Sequence, residues 1–427
     1  MTITQLYNYF KTCTGVSTDT RQITEGCLFV ALRGDKFDGN QYAKDALEKG
    51  AKYAIVDNSD FAVDNRYLLV DNSLDALQQL AAYHRKQLTI PIIGLTGSNG
   101  KTTTKELIAV VLSKKFRTYA TKGNLNNHIG VPLTLLAIDN NYEMAVVEMG
   151  ANHQQEIGLL SQIAQPTHGL ITNIGKAHLE GFGGLAGVRK GKGELYDWLA
   201  SSGGTVFVNG VNETLEVMAG ERVFKEKITY LSDDTAPKLL EDSPLIIYVD
   251  GNNNKISTYL TGKYNFENIA AALALGKYFG VSANEANQAV ADYSPTNNRS
   301  QIIIKGSNTV IMDAYNANPS SMSVAIENFG KLKAERKMVI LGDMLELGED
   351  SPSEHLALGE LIAQQKFDLV ILAGKLMQDA LPALPQAYYF PDKFSLHNWI
   401  VDHPQQNTHI LIKGSRGIGL ETVVPYL

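Results

Sequence analysis

The residues with the clearest chemical signature lie between Ile92 and Thr103. Ile92-Ile93-Gly94-Leu95 reads as an apolar strand, Thr96-Gly97-Ser98-Asn99-Gly100 as a turn, and Lys101-Thr102-Thr103 as the opening of an amphipathic helix. In that order the bare amides of a glycine turn converge on one point, and the positive end of the following helix faces the same point. A nucleotide phosphate suits such a cradle, with Lys101 reaching the terminal phosphates and the Thr102 hydroxyl meeting Mg²⁺. The spelling is a short one. The common motif has a glycine five residues before Gly100, where this chain has Leu95, and Gly97 stands three before instead.

Three further residues could carry chemistry beside that loop. Met144-Ala145-Val146-Val147-Glu148 is an apolar strand ending on a carboxylate, and Leu170-Ile171-Thr172-Asn173 runs into Gly175-Lys176-Ala177-His178. Ligands of open parallel sheets bind beyond the carboxyl ends of the strands, so Glu148 falls where a triphosphatase keeps its magnesium-associated acid and His178 falls on the same edge. Lys192 is the third. Positions 185, 188, 192, 195 and 199 repeat at helical spacing, four of them apolar and the fifth Lys192, which therefore faces inward with Lys190 pointing away. An inward ammonium must be paired, neutralised or chemically altered. Its role is left open by the spacing alone.

The elements that must position these groups fall into three blocks. The first, residues 1–88, alternates strands at Leu28–Leu32, Tyr53–Val56 and Tyr67–Val70 with helical stretches and closes in a polar segment, Tyr83-His84-Arg85-Lys86-Gln87. The second, residues 89–296, has strands at Ile92–Leu95, Ala145–Glu148, Gly169–Thr172 and Val206–Val208, an alanine-rich helix at Asn265–Tyr278, and an Asn252-Asn253-Asn254 run suited to a hairpin loop. Its helices alternate with strands, which predicts a mostly parallel sheet. After the turn cluster Tyr293-Ser294-Pro295-Thr296-Asn297-Asn298, residues 297–427 carry strands at Val310–Asp313, Met338–Gly342, Leu369–Ala373 and Ile410–Ile412, the pattern of a second doubly wound unit. The expected class is α/β throughout.

Composition narrows the setting. The 427 residues carry 38 basic and 45 acidic side chains, interspersed, for a formal charge of −7, and no basic block marks a nucleic-acid face. No uncharged apolar run approaches the roughly 18 residues of a membrane span, and Met1-Thr2-Ile3-Thr4-Gln5-Leu6-Tyr7 lacks the shape of a signal peptide, so a cytoplasmic enzyme is expected. Cys13 and Cys27 lack metal-ligand spacing.

Taken together the motifs resemble the Mur ligase family, and within it the MurF type. The resemblance rests on Ser17-Thr18-Asp19-Thr20-Arg21, Gly26 to Gly34 and Phe37-Asp38-Gly39; on Thr96 to Thr103, Gly123-Asn124-Leu125-Asn126-Asn127 and Glu148-Met149-Gly150-Ala151-Asn152; and on Asp313-Ala314-Tyr315-Asn316-Ala317-Asn318-Pro319 with Leu341-Gly342-Asp343-Met344. It implies a small α/β N-terminal domain binding UDP, a central phosphate-loop domain, and a C-terminal Rossmann-like domain. It also implies a chemistry: ATP activates a carboxylate as an acyl phosphate, and an amine displaces the phosphate. The implied substrates are UDP-N-acetylmuramoyl-tripeptide and D-alanyl-D-alanine, the implied cofactors ATP and two Mg²⁺ ions, and a monomer is expected.

Site residues follow from the same resemblance. Thr102 and Glu148 are expected at the first Mg²⁺, His178 and a carbamylated Lys192 at the second, with Lys101, His178 and Lys192 as the catalytic set. Carbamylation would turn a cation into an anion suited to the metal. ATP is expected at Gly97, Ser98, Asn99, Gly100, Lys101, Thr102 and Thr103, with adenine at Asn265 and Asn268 and with Arg299 and Asp313 closing over it. Here Tyr264 stands where the family usually has histidine. Thr18, Asp19, Arg21 and Arg33 are the expected UDP contacts, Asn124, Asn126 and Asn173 further substrate contacts, and Asn316 and Asn318 the D-alanyl-D-alanine contacts. The sibling that adds a diamino acid carries Asp-Asn-Pro-Arg in that last loop, and this chain does not. Rival expectations are a folylpolyglutamate-type ligase or a triphosphate-hydrolysing switch; the absence of an Asn-Lys-x-Asp motif argues against a GTPase.

Overall fold

A computed structural model describes residues 1–427. Each block builds its own sheet. In the first, Val16–Ser17, Leu28–Val30, Tyr53–Val56 and Tyr67–Leu69 pair in parallel in that order. In the central block six strands pair in parallel, in the order Glu226–Tyr230, Thr205–Asn209, His168–Ile171, Ile92–Thr96, Met144–Glu148, Thr118–Ala120. Helices cover both faces, which is why Ile92–Thr96 and Met144–Glu148 are buried at every position and read as unbroken apolar runs. A three-stranded antiparallel sheet follows, and the Asn252–Asn254 run joins two of its strands, Ile247–Val249 and Lys255–Ser257.

The third sheet has five parallel strands and one antiparallel edge strand, Gln301–Lys305. Its strands Asn308–Asp313, His409–Lys413 and Lys337–Gly342 are neighbours. Their carboxyl ends turn Asp313 and Lys413 toward the central domain, where both border the central cleft.

Two local expectations change. The polar segment at residues 83–87 is the last turn of a helix, Ser73–Gln87, begun by Asn72, whose side chain accepts from Leu74 N and Asp75 N. His84 and Arg85 are buried rather than solvated. Arg85 donates to the carbonyls of Ala164 (3.0 Å), Leu88 (2.8 Å) and Gln165 (3.1 Å), and His84 Nε2 lies 2.7 Å from the Ile138 carbonyl. The segment is thus a docking surface onto the central domain. In the helix Leu185–Ser202, Val188, Lys192, Leu195 and Leu199 are fully buried, but Leu185, on its first turn, is 49% exposed because no layer covers it.

Candidate active site

The site begins with the turn after Ile92–Thr96. Gly97 (φ +147°) leaves no room for a side chain, since a Cβ would stand 1.9 Å from Thr172 Oγ1. Gly100 (φ +79°) starts the helix Lys101–Leu112 in a left-handed backbone that favours glycine. The turn is pinned from the neighbouring strand. Asn99 N donates to Asn173 Oδ1 (3.0 Å), Asn173 Nδ2 and Thr172 Oγ1 donate to the Asn99 carbonyl (3.1 and 2.6 Å), and Ser98 Oγ donates to the Gly175 carbonyl (3.1 Å). Both ends of the Asn173 amide are therefore spent on the loop.

Lys101 turns back over the loop, its Nζ 2.7 Å from the Gly97 carbonyl, and burial pushes its pKa down to about 8. Behind it Thr102 Oγ1 and Asn126 Nδ2 both donate to Glu148 Oε1, at 3.2 and 2.8 Å. Glu148 is 1% exposed, and its Oε2 has no partner at all. A buried carboxylate oxygen left without a donor is costly unless a cation meets it. Thr102 and Glu148 thus fit a divalent ion beside the phosphate loop, with Asn126 Nδ2 holding the carboxylate in place.

The remaining predicted groups divide between the cavity and its walls. A cavity of about 720 Å³ runs from the phosphate loop to the third domain and is bordered by Glu148, His178, Asn268, Arg299, Asp313 and Asn316 among others. Asn265 and Asn268 belong to a buried chain: Thr104 Oγ1 donates to Asn268 Oδ1 (3.0 Å), Asn268 Nδ2 to Asn265 Oδ1 (3.0 Å), and Asn265 Nδ2 to the Thr261 carbonyl (2.9 Å). Arg299 stacks on the Tyr315 ring at 3.8 Å, and Lys413 Nζ pairs with Asp313 at 2.6 Å. Lys192 is fully buried beneath the floor, not on the cavity wall, with Nζ 3.1 Å from the Ala151 carbonyl and 4.8 Å from the Phe182 ring centre. Burial, reinforced by Lys101, holds its pKa well below the usual lysine range. No group of three or more His, Cys, Asp and Glu side chains is gathered as a metal cage.

Family models match along nearly the whole length: "Mur ligase family, catalytic domain" over residues 12–85, "Mur ligase middle domain" over 95–276 and "Mur ligase, glutamate ligase domain" over 298–416. The UDP-N-acetylmuramoyl-tripeptide–D-alanyl-D-alanine ligase of Bacillus subtilis (strain 168) is 36% identical, over 96% of this chain and 92% of its own. The chain belongs to the Mur ligase family, in its MurF branch. The enzyme of the same name from Escherichia coli (strain K12) is 35% identical over 97% of this chain and 93% of its own. Among solved structures, MurF from Acinetobacter baumannii superposes with a TM-score of 0.86 at 31% identity, covering 99% of this chain and 98% of that one. MurF from Thermotoga maritima, solved with ADP, gives 0.84 at 25% identity, covering 98% and 97%.

In this Mur ligase the expected first-domain contacts sit away from the central cavity. Asp19 and Arg21 grip one another, Nη2 to Oδ2 at 2.7 Å, which draws the Asp19 pKa down to about 2. Arg33 Nε lies 2.8 Å from Asp57, an acid that sequence reasoning passed over and that also accepts from Asn40 Nδ2 (2.8 Å). Thr18 is half-buried beside them, and Asn124 borders the cavity. Asn316 Oδ1 accepts from Ala317 N (2.9 Å), while Asn318 is spent twice: Oδ1 caps the helix Pro319–Lys331 through Ser321 N (2.9 Å), and Nδ2 donates to Asn99 Oδ1 (2.8 Å). Also missed were Lys105, buried with Nζ on the Thr121 carbonyl (2.8 Å), and Glu346, whose carboxylate meets His178 Nδ1. A helix position on the inner face was the available signal for Lys105; nothing local distinguishes Glu346.

Proposed function

We infer that the protein joins D-alanyl-D-alanine to UDP-N-acetylmuramoyl-tripeptide at the expense of ATP, giving the UDP-pentapeptide, ADP and phosphate, a step of peptidoglycan precursor synthesis. The observation that carries this is the single cavity shared by the phosphate loop, Glu148 and the third-domain loop Asp313–Asn318 in a chain matched end to end by ligases of that name. The proposed units are residues 1–88 for the UDP-sugar, 89–296 for ATP and 297–427 for closure. The reaction is placed in the cytoplasm, where ATP and UDP-linked precursors reside, with one chain supplying every group; no helix is long and apolar enough to cross a membrane.

The roles follow from the chemistry. The substrate carboxylate takes the γ-phosphoryl of ATP, and the amine of D-alanyl-D-alanine attacks the acyl phosphate, losing a proton as phosphate leaves. Positioning and charge neutralisation dominate phosphoryl transfer, which is the work of the loop amides from Gly97 to Thr103 and of Lys101. Thr102 and Glu148 would hold one Mg²⁺, and His178 with Lys192 a second. When bound, the ions neutralise charge on the phosphates. Lys192 suits carbamylation because its burial favours the neutral amine, whose lone pair adds to CO₂ with loss of a proton. Asn265 and Asn268 serve the adenine, Arg299 and Asp313 close over the nucleotide, and Tyr264 Oη, 2.7 Å from Ser300 Oγ, ties that segment to the strap bearing Arg299. Asn124 and Asn316 face the acceptor end, while Asn126, Asn173 and Asn318, whose amides are engaged by Glu148, the phosphate loop and Asn99, shape its wall; Thr18, Asp19, Arg21 and Arg33 take the UDP.

The deciding experiment measures phosphate release from ATP and Mg²⁺ with the UDP-tripeptide and D-alanyl-D-alanine supplied separately and together, with mass spectrometry of the product. Release requiring both, with a UDP-pentapeptide formed, is expected. Release with a different amine moves the substrate to a sibling ligase, and release with neither substrate makes the protein a triphosphatase.

A further inference from the structure

Two non-glycine residues in the left-handed backbone region meet across the joint between the central and third domains: His178 (φ +51°) and Glu346 (φ +65°). Side chains held in that region are kept there by their surroundings, and here both surroundings are built. The loop bearing Glu346 follows the strand Lys337–Gly342 and is fixed by Met344 N donating to His355 Nε2 (3.1 Å), by Leu345 N donating to Ser415 Oγ (3.1 Å) and by buried Leu347. His178 caps the short helix Leu179–Phe182, and the residues just before it are clamped by the third domain: Lys176 N donates to Ser320 Oγ (2.8 Å) and Lys176 Nζ pairs with Glu354 (2.5 Å). The two loops bring the Glu346 carboxylate onto His178 Nδ1, while the His178 side chain borders the central cavity.

We propose that Glu346 is a positioning residue that the third domain delivers to His178. Its carboxylate is placed against Nδ1 to accept from an Nδ1–H there, which sets the orientation of the ring and leaves Nε2 as the nitrogen available to a divalent cation. The cation site is then complete only when the third domain is seated. This rests on the ligase reading above, in which His178 serves a Mg²⁺.

The test uses the full-length protein with Glu346→Gln, which keeps the reach and an acceptor oxygen, and Glu346→Asn, which accepts left-handed backbone readily but is one carbon short. Mn²⁺ binding is followed by electron paramagnetic resonance in the presence of the UDP-tripeptide and a non-hydrolysable ATP analogue. The Nδ1–H signal of ¹⁵N-labelled His178, identified by its loss in His178→Ala, is followed without metal in the presence of the UDP-tripeptide and ADP. Wild type and E346Q should share Mn²⁺ affinity and the Nδ1–H signal; E346N should lose the signal and bind one Mn²⁺ about 10-fold more weakly or worse. An E346N protein that keeps either the wild-type Mn²⁺ affinity or the Nδ1–H signal overturns the proposal. A wild type that binds Mn²⁺ as expected but forms no UDP-pentapeptide would instead overturn the substrate reading and leave Glu346 where it stands.

Discussion

Lys192 shows how far one residue can be read from its neighbours in sequence. Helical spacing predicts an inward lysine, and the side chain is fully buried with a single carbonyl acceptor, from Ala151. The spacing could not say what the amine meets, because Ala151 and Phe182 arrive from other elements. Lys192→Ala should lose on the order of 100-fold in turnover, the upper end of the effect expected when a group supporting a metal site is removed, and added bicarbonate should not restore it. Steady-state ligation assays check this, and full activity in that variant would remove Lys192 from the mechanism. Asn318 is the opposite case. Its sequence context suggests a substrate amide or a turn, yet Asn99, 219 positions earlier, occupies its Nδ2. A pairing across that separation has no local signature.

At the scale of elements, strands and the phosphate loop were legible because burial on both faces writes apolar runs, while the docking of the helix Ser73–Gln87 was hidden by its polar last turn. Arg85→Ala should lower stability by about 2–3 kcal/mol, the range for lost hydrogen bonds from a charged group. Arg85→Lys should recover little of it, since an ammonium cannot reproduce the planar fork across three carbonyls. Calorimetry of the first unfolding transition reads both. His168 opens the strand His168–Ile171 and packs edge-on against Tyr278 and Phe279; burial pushes its pKa down to about 4. An imidazole that stays neutral in the fold, but takes a proton near pH 6.5 when unfolded, contributes stability above that pH. The contribution is lost as pH falls from about 6.5 to 4, at most about 3 kcal/mol at 1.36 kcal/mol per unit. His168→Phe should flatten the pH dependence of the unfolding midpoint in that window.

At the scale of the whole molecule, the central and third sheets converge on one cavity, and the domains are held by a few polar clasps. Lys176 and Glu354 form the outermost, with side chains 51% and 16% exposed. Glu354→Ala should reduce turnover by a few-fold, in keeping with the at most about 1 kcal/mol of such an exposed pair, and leave ADP affinity unchanged because neither side chain lines the cavity. Titration calorimetry and the salt dependence of turnover read the two effects apart; a large fall in ADP affinity would contradict that division. The joint between the first and central domains is made differently. Every partner that Gln78, His84 and Arg85 find on the central domain is a main-chain carbonyl, of His128, Ile138, Ala164 and Gln165. Carbonyls persist when side chains drift. A sugar-nucleotide module from a distant relative could therefore be grafted here if the exchange carried the whole helix Ser73–Gln87 with it, whereas a splice placed at the residues before that helix would separate the plug from its module.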